Sequence, residues 1–142
     1  MLFRSRAHVE VEGRTVGAID RGILALIGVE AADTPAVGTR LLDKVLTYRI
    51  FPDDAGKMNL NLQQIGGGLL LVPQFTLAAD TRKGTRPSFS SAAPPDQARS
   101  LFETLLLAAQ AAHAPVASGQ FGADMQVHLV NDGPVTFNLH IT

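Results

Sequence analysis

The sequence predicts a single α+β domain over residues 1–142, mostly antiparallel sheet with two main helices. Three observations predict it. Segments at 7–12, 15–19, 123–129 and 135–141 alternate apolar with polar residues, the period of half-buried strands. Two nearly unbroken apolar runs, 22–30 and 69–77, read as strands covered on both faces. Two stretches with apolar residues at helical spacing, opening at Pro35 and at Pro94-Pro95, supply the helices. No internal repeat, linker or compositional break separates these elements.

Bulk properties bound the chemistry. At 142 residues the chain is long enough to bury a core, and 46% hydrophobic with 18% charged residues suits a compact protein. A net charge of −1 gives no overall pull on a polyanion, so any nucleic-acid contact must come from a local patch. The absence of cysteine excludes disulfides, thiolate metal sites and a cysteine nucleophile. No apolar run reaches membrane-spanning length and the first residues lack a basic-then-apolar signal, so the expected location is the cytoplasm.

In chain order, Ala7 to Glu12 alternates as a strand, and Gly13-Arg14 turns into Thr15 to Ile19. Gly22 to Glu30 is the first apolar run, expected at the centre of a sheet. Asp33 or Thr34 caps the first helix, whose face of Val37, Leu41, Leu42, Val45 and Leu46 ends near Tyr48. Phe51 to Leu62 is turn-rich and then briefly alternates. Gly66-Gly67-Gly68 lacks the Gly-Lys-Ser/Thr of a phosphate loop and reads as a loop feeding a strand. Leu69 to Leu77 follows, interrupted by Pro73, which marks an edge, a bulge or a strand end. Ala78 to Ser91 is a loop carrying Arg82, Lys83 and Arg86, a cluster that most simply is solvated. The second helix presents Ala98, Leu101, Phe102, Leu105, Leu106 and Ala109, and fades at His113.

The last stretch, Phe121 to Ile141, reads as a β-hairpin around Asn131-Asp132-Gly133-Pro134. Proline there removes an N–H where a ladder wants one, and a Gly-Pro bond adopts cis for about 0.5–1 kcal/mol. One reading is an ordinary turn; the other is a rigid backbone finger. Several chemistries have no motif here. The histidines at 8, 113, 128 and 140 lack HExxH or related spacing, so no metal and no cofactor is expected. There is no Gly-x-Ser-x-Gly elbow, and no spacing forces two carboxylates together.

Five motifs in register carry a resemblance. Pro73-Gln74-Phe75-Thr76-Leu77, Gly84-Thr85-Arg86-Pro87-Ser88-Phe89 and Asn131-Asp132-Gly133-Pro134-Val135-Thr136 are the strongest. Tyr48-Arg49-Ile50-Phe51 with Gly56-Lys57-Met58-Asn59-Leu60, and Phe121-Gly122-Ala123-Asp124-Met125, complete the set. From Ala7 onward the chain resembles the D-aminoacyl-tRNA deacylases, also called D-tyrosyl-tRNA deacylases. The resemblance implies a homodimer with a β-barrel-like core and active sites near the subunit interface. It implies a cis Gly133–Pro134 bond, carried into the partner's pocket as the selector of handedness. Gln74, Phe75 and Thr76 would line the reacting centre, and Ala98, Phe121 and Met125 the substrate pocket. The chain departs from the family at Pro73, where serine is usual, and at Met1-Leu2-Phe3-Arg4, which replaces a Gln-Arg pair imperfectly.

The implied reaction is hydrolysis of the ester joining a D-amino acid to the terminal ribose of tRNA, sparing the L form. Glycyl-tRNA, as mischarged on tRNA-Ala, has no side chain to collide and should pass as well. Ten-thousandfold discrimination requires about 5.5 kcal/mol of differential transition-state energy, which a fixed backbone supplies better than a flexible side chain. Thr76 could act as nucleophile, but no histidine is marked as its base. The favoured route has the ribose 2′-hydroxyl assist a water, with backbone N–H groups near Phe75 holding the oxyanion. Arg82, Lys83 and Arg86 are expected to meet acceptor-stem phosphates, though Arg86 could equally brace its own loop. The rival readings are a general small-ester hydrolase and a non-catalytic dimeric RNA- or ligand-binding module.

Overall fold

The computed structural model describes residues 2–4, 6–132 and 135–142, and residues 2–4 by their backbone alone. Strand β1 (Leu2–Arg4) is followed by β2 (Arg6–Val11) and β3 (Arg14–Ile19). The turn between β2 and β3 holds Glu12 and Gly13 at φ 51° and 77°, the paired positive values of a tight hairpin turn. Next come β4 (Gly22–Ile27) and helix α1 (Pro35–Thr47), capped by the Thr34 hydroxyl on the Val37 N–H. The short strands β5 (Phe51–Pro52) and β6 (Met58–Leu60) pair antiparallel. A single turn, α2 (Leu62–Ile65), carries a reciprocal Asn61–Gln64 capping box and ends on left-handed Gly66. Then follow β7 (Gly68–Pro73), a 3₁₀ turn (Phe75–Ala78), α3 (Pro95–Ala112), β8 (Val116–Ser118) and β9 (Gln126–Val130).

The strands form three layers with the helices. One sheet has the order β1-β4-β7-β8, the second β3-β2-β9. The two apolar runs become β4 and β7, which pair in parallel from Gly22↔Gly68 to Ile27↔Pro73. Both faces of these strands are covered, which is why their sequence does not alternate. Ile23, Ala25, Leu69 and Leu71 pack toward α1 and α3, meeting Leu42, Val45, Phe102 and Leu105. Leu24, Leu70 and Val72 point the other way, onto Ala7, Val9 and Ile19 of the second sheet. The antiparallel pairs β1–β4, β2–β3, β2–β9 and β5–β6 outnumber the parallel ones, as expected. The barrel-like core takes the form of two stacked sheets, which do not close into a barrel among the described residues.

One expectation needs correction. The hairpin between 123–129 and 135–141 is not formed among the described residues. β9 pairs instead with β2, in register from Arg6↔Val130 to Glu10↔Gln126. Positive φ at Gly122 (77°) keeps 121–125 in a turn, so the strand starts later than its alternation suggests. Beyond residue 134, Val135, Phe137 and Leu139 pack on the helix-side core, with the Phe137 ring edge-on to Tyr48 at 5.6 Å. Arg40 donates to the Thr142 carbonyl at 2.7 Å at the end of this segment. Alternation reports that one side is buried, not which neighbour buries it.

Candidate active site

β4, β7 and β8 run parallel, so Ile27, Pro73 and Ser118 end on one side of the sheet. In parallel sheets, the carboxyl ends of strands are where ligands are commonly held. Pro73 closes β7, resolving the three options left by its sequence position in favour of a strand end. The Gln74 N–H then donates to the Ile27 carbonyl at 2.7 Å, and the chain winds into the Phe75–Ala78 turn. That turn leans against Gly28, where a β-carbon would lie 2.8 Å from the Leu77 β-carbon. Only glycine permits this approach.

Beside the turn lies a cavity of about 740 Å³. Pro73, Gln74 and Phe75 form one wall, and Pro94, Pro95 and Ala98 at the start of α3 form another. Phe121 and Met125 close it from the loop before β9. Phe121 is held between the Phe102 ring, 6.4 Å away, and the Arg99 guanidinium, 4.9 Å from its centroid. Met125 folds over Gly119, where a β-carbon would meet its sulfur at 2.7 Å. Phe75 and Phe89 meet at the mouth with ring centroids 5.2 Å apart, and stay 62% and 39% exposed. These two rings offer an aromatic face to solvent.

Five residues singled out from the sequence, Gln74, Phe75, Ala98, Phe121 and Met125, therefore share one cavity. Thr76 is not among the residues lining it; its Oγ1 accepts a 2.6 Å hydrogen bond from Gln74 Nε2. Asp124 is the titratable lining group among the described residues, and no histidine faces Thr76 across the cavity. Among the described residues, the N–H groups of Phe75 and Thr76 make no backbone hydrogen bond, as expected at the start of a helical turn. Gly133, Pro134 and their expected cis bond lie outside the described residues. Phe89, Pro94, Pro95 and Asp124 were not picked out as site residues, although Phe89 closes one motif and Pro94-Pro95 opens the helix.

The basic loop is pinned by an Asp80↔Ser88 bridge and leads into Phe89. Arg82 clamps Asp80 with both Nε and Nη2, at 2.9 and 2.7 Å. Hydrogen bonds from Arg82 hold the Asp80 carboxyl down at about 2, below its usual value of 3.8. Lys83 and Arg86 are exposed and make no ion pair among the described residues. Two cations of the three are thus uncommitted.

The fold is α+β, and its cavity at the strand ends is lined mostly by apolar residues, with Asp124 as the titratable group among the described residues. The chain belongs to the D-Tyr-tRNA(Tyr) deacylase family, whose model matches residues 4–140. It is 65% identical over 140 residues to a D-aminoacyl-tRNA deacylase of Pseudomonas fluorescens (strain SBW25), covering 98% of this chain and 97% of that one. To the enzyme of the same name from Pseudomonas putida (strain W619) it is 65% identical over 142 residues, covering 99% and 98%. Among solved structures, one titled c-Myc DNA Unwinding Element Binding Protein matches with a TM-score of 0.93 at 37% identity, covering 98% of this chain and 95% of that one. A probable eukaryotic D-amino acid tRNA deacylase shares the fold, with a TM-score of 0.82 at 16% identity over 94% and 92% of the two chains.

Proposed function

We propose that this chain is a hydrolase that cleaves the ester of D-aminoacyl-tRNA to free D-amino acid and tRNA. The observation that carries the reading is the Gln74-Phe75-Thr76 turn, set with unengaged N–H groups beside the Phe121–Met125 cavity in a chain of this family. The aminoacyl ester is already activated, so the site needs no strong nucleophile. A water assisted by the substrate's 2′-hydroxyl attacks the acyl carbon. The N–H groups of Phe75 and Thr76 take up the oxyanion, the C–O bond to the ribose breaks, and the 3′-oxygen leaves with a proton. Thr76 is tied to Gln74 and, among the described residues, no histidine lines the adjoining cavity, which supports a positioning role over nucleophilic attack.

The exposed Phe75–Phe89 pair suits stacking of the terminal base, an interaction worth about 1–3 kcal/mol per base. Lys83 and Arg86 would meet acceptor-stem phosphates. Gly133 and Pro134, supplied by the partner in a homodimer, would select handedness and let glycine pass. A dimer is supported by β9, an edge strand ending in exposed Leu129 and Val130, and by exposed Leu77 beside the site. Among the described residues no helix is long and apolar enough to cross a membrane. A tRNA substrate puts the work of the enzyme in the cytoplasm.

The test is deacylation of D-Tyr-tRNA against L-Tyr-tRNA by the purified protein, with and without chelator. Release from the D form alone, unaffected by chelator, is expected. Equal release from both would remove the chiral reading. Equal rates on D-tyrosyl esters lacking RNA would favour a general esterase, and binding without release would favour a non-catalytic module.

A further inference from the structure

On the outer face of the three-stranded sheet, opposite the core, His8 of β2 lies in register with His128 of β9. Their imidazoles stack with centroids 4.4 Å apart and planes 4° from parallel. Glu10, two residues along β2 and so on the same face, reaches both rings. One carboxylate oxygen lies 3.1 Å from His8 Nε2 and the other 3.4 Å from His128 Nε2. One ligand atom from each of the three residues falls within 4.8 Å of the others.

We infer that His8, Glu10 and His128 form a binding site for a borderline divalent metal of the Zn²⁺ class. Two imidazoles and one carboxylate are a common zinc donor set, with a fourth position left to water. Bonds of about 2.0–2.1 Å in a tetrahedron put donor atoms about 3.3 Å apart, and Glu10 already stands at that range from each ring through one oxygen apiece. The rings, stacked in parallel, must turn about χ2 to aim both Nε2 lone pairs at one ion, which their exposure allows. Side chains 36%, 28% and 48% exposed give it access and room for the water. Arg6 shares this face of β2 and opposes a cation, but it is exposed and free to swing into solvent.

The ion would be a staple rather than a reagent. Among the described residues β9 is held to its sheet by β2 alone, yet Val127 reaches the cavity wall and the strand leads into 131–134. A metal bridging β2 to β9 ties down that edge. Sequence spacing could not show this, because 120 residues separate the two histidines and only the strand register joins them.

The test uses the full-length, tag-free protein, stripped with EDTA, dialysed and titrated with ZnCl₂ by calorimetry. One Zn²⁺ per chain and a rise in melting temperature are expected. His8→Ala and His128→Ala should each weaken binding by at least about tenfold and abolish the rise, and Glu10→Gln should weaken it too. The metal-free variants should melt close to the metal-free parent, since the three side chains lie on the outer, partly exposed face of the sheet. No stoichiometric uptake overturns the site, as does uptake undiminished in the histidine variants. Deacylation is not the readout, so failure of the proposed function leaves this result standing.

Discussion

At the scale of single residues, the basic loop divides its three cations by what already engages them. Arg82 is spent on Asp80, whose lowered pKa of about 2 keeps the pair ionised through neutral and mildly acidic solution. Because the folded value lies below the ordinary 3.8, whatever the clamp adds to loop order is full above that value and fades as pH falls through about 2. An NMR titration should place the Asp80 midpoint near 2, and Arg82→Ala should return it toward 3.8; an unmoved midpoint would mean the clamp is not held. Lys83 and Arg86 remain for phosphates. Lys83→Ala and Arg86→Ala should each lower the salt slope of tRNA binding by about 1. An unchanged slope would return the cluster to its solvated reading. Thr76→Val tests the chemical step: loss of the hydroxyl should cost kcat less than about tenfold if it positions, and a collapse of several orders would make Thr76 the nucleophile.

At the scale of elements, the active turn depends on how closely β4 lets it approach. Gly28 sits just past β4, with Leu77 pressed where its β-carbon would be. Gly28→Ala should push the Phe75–Ala78 turn out of place and lower kcat/KM on D-Tyr-tRNA by about a hundredfold, the cost typical of an ångström of misplacement. A melting temperature little changed beside that loss would assign the effect to positioning; unchanged kinetics would show that the turn absorbs the methyl group. The β9 strand shows the complementary lesson. Its alternation was legible, but its partner was not, since β2 and the segment after residue 134 offer equally plausible mates on pattern alone.

At the scale of the whole molecule, burial on two faces of one sheet sets the stability. Leu70 is wholly buried between the sheets, whereas Leu107 on α3 is 67% exposed. Leu70→Ala should cost about 2–5 kcal/mol in denaturant unfolding, and Leu107→Ala no more than about 0.5. Comparable losses at both would mean that Leu107 is covered in solution. The homodimer proposed for the site makes its own forecast: sedimentation should report twice the 15.1 kDa of the chain. A monomer that still spares L-Tyr-tRNA would remove the need for a partner's loop.

By itself the sequence determined the type of most long elements, though the alternating segment 135–141 forms no strand among the described residues. The doubly apolar runs of β4 and β7, the proline-opened helices and the strand end at Pro73 all follow from local pattern, because periodicity and backbone restriction act within a few residues. Its resemblance to the family also implied Gln74, Phe75, Ala98, Phe121 and Met125, which a single cavity gathers. What only the tertiary structure decided is adjacency between distant segments. Parallel pairing of β4 with β7 set the turn against Gly28, Asp80 claimed Arg82, and β2 rather than 135–141 took β9, bringing His8 onto His128. The reason is physical: burying a face rewards any apolar neighbour about equally, so the choice among neighbours is made by packing the whole chain at once.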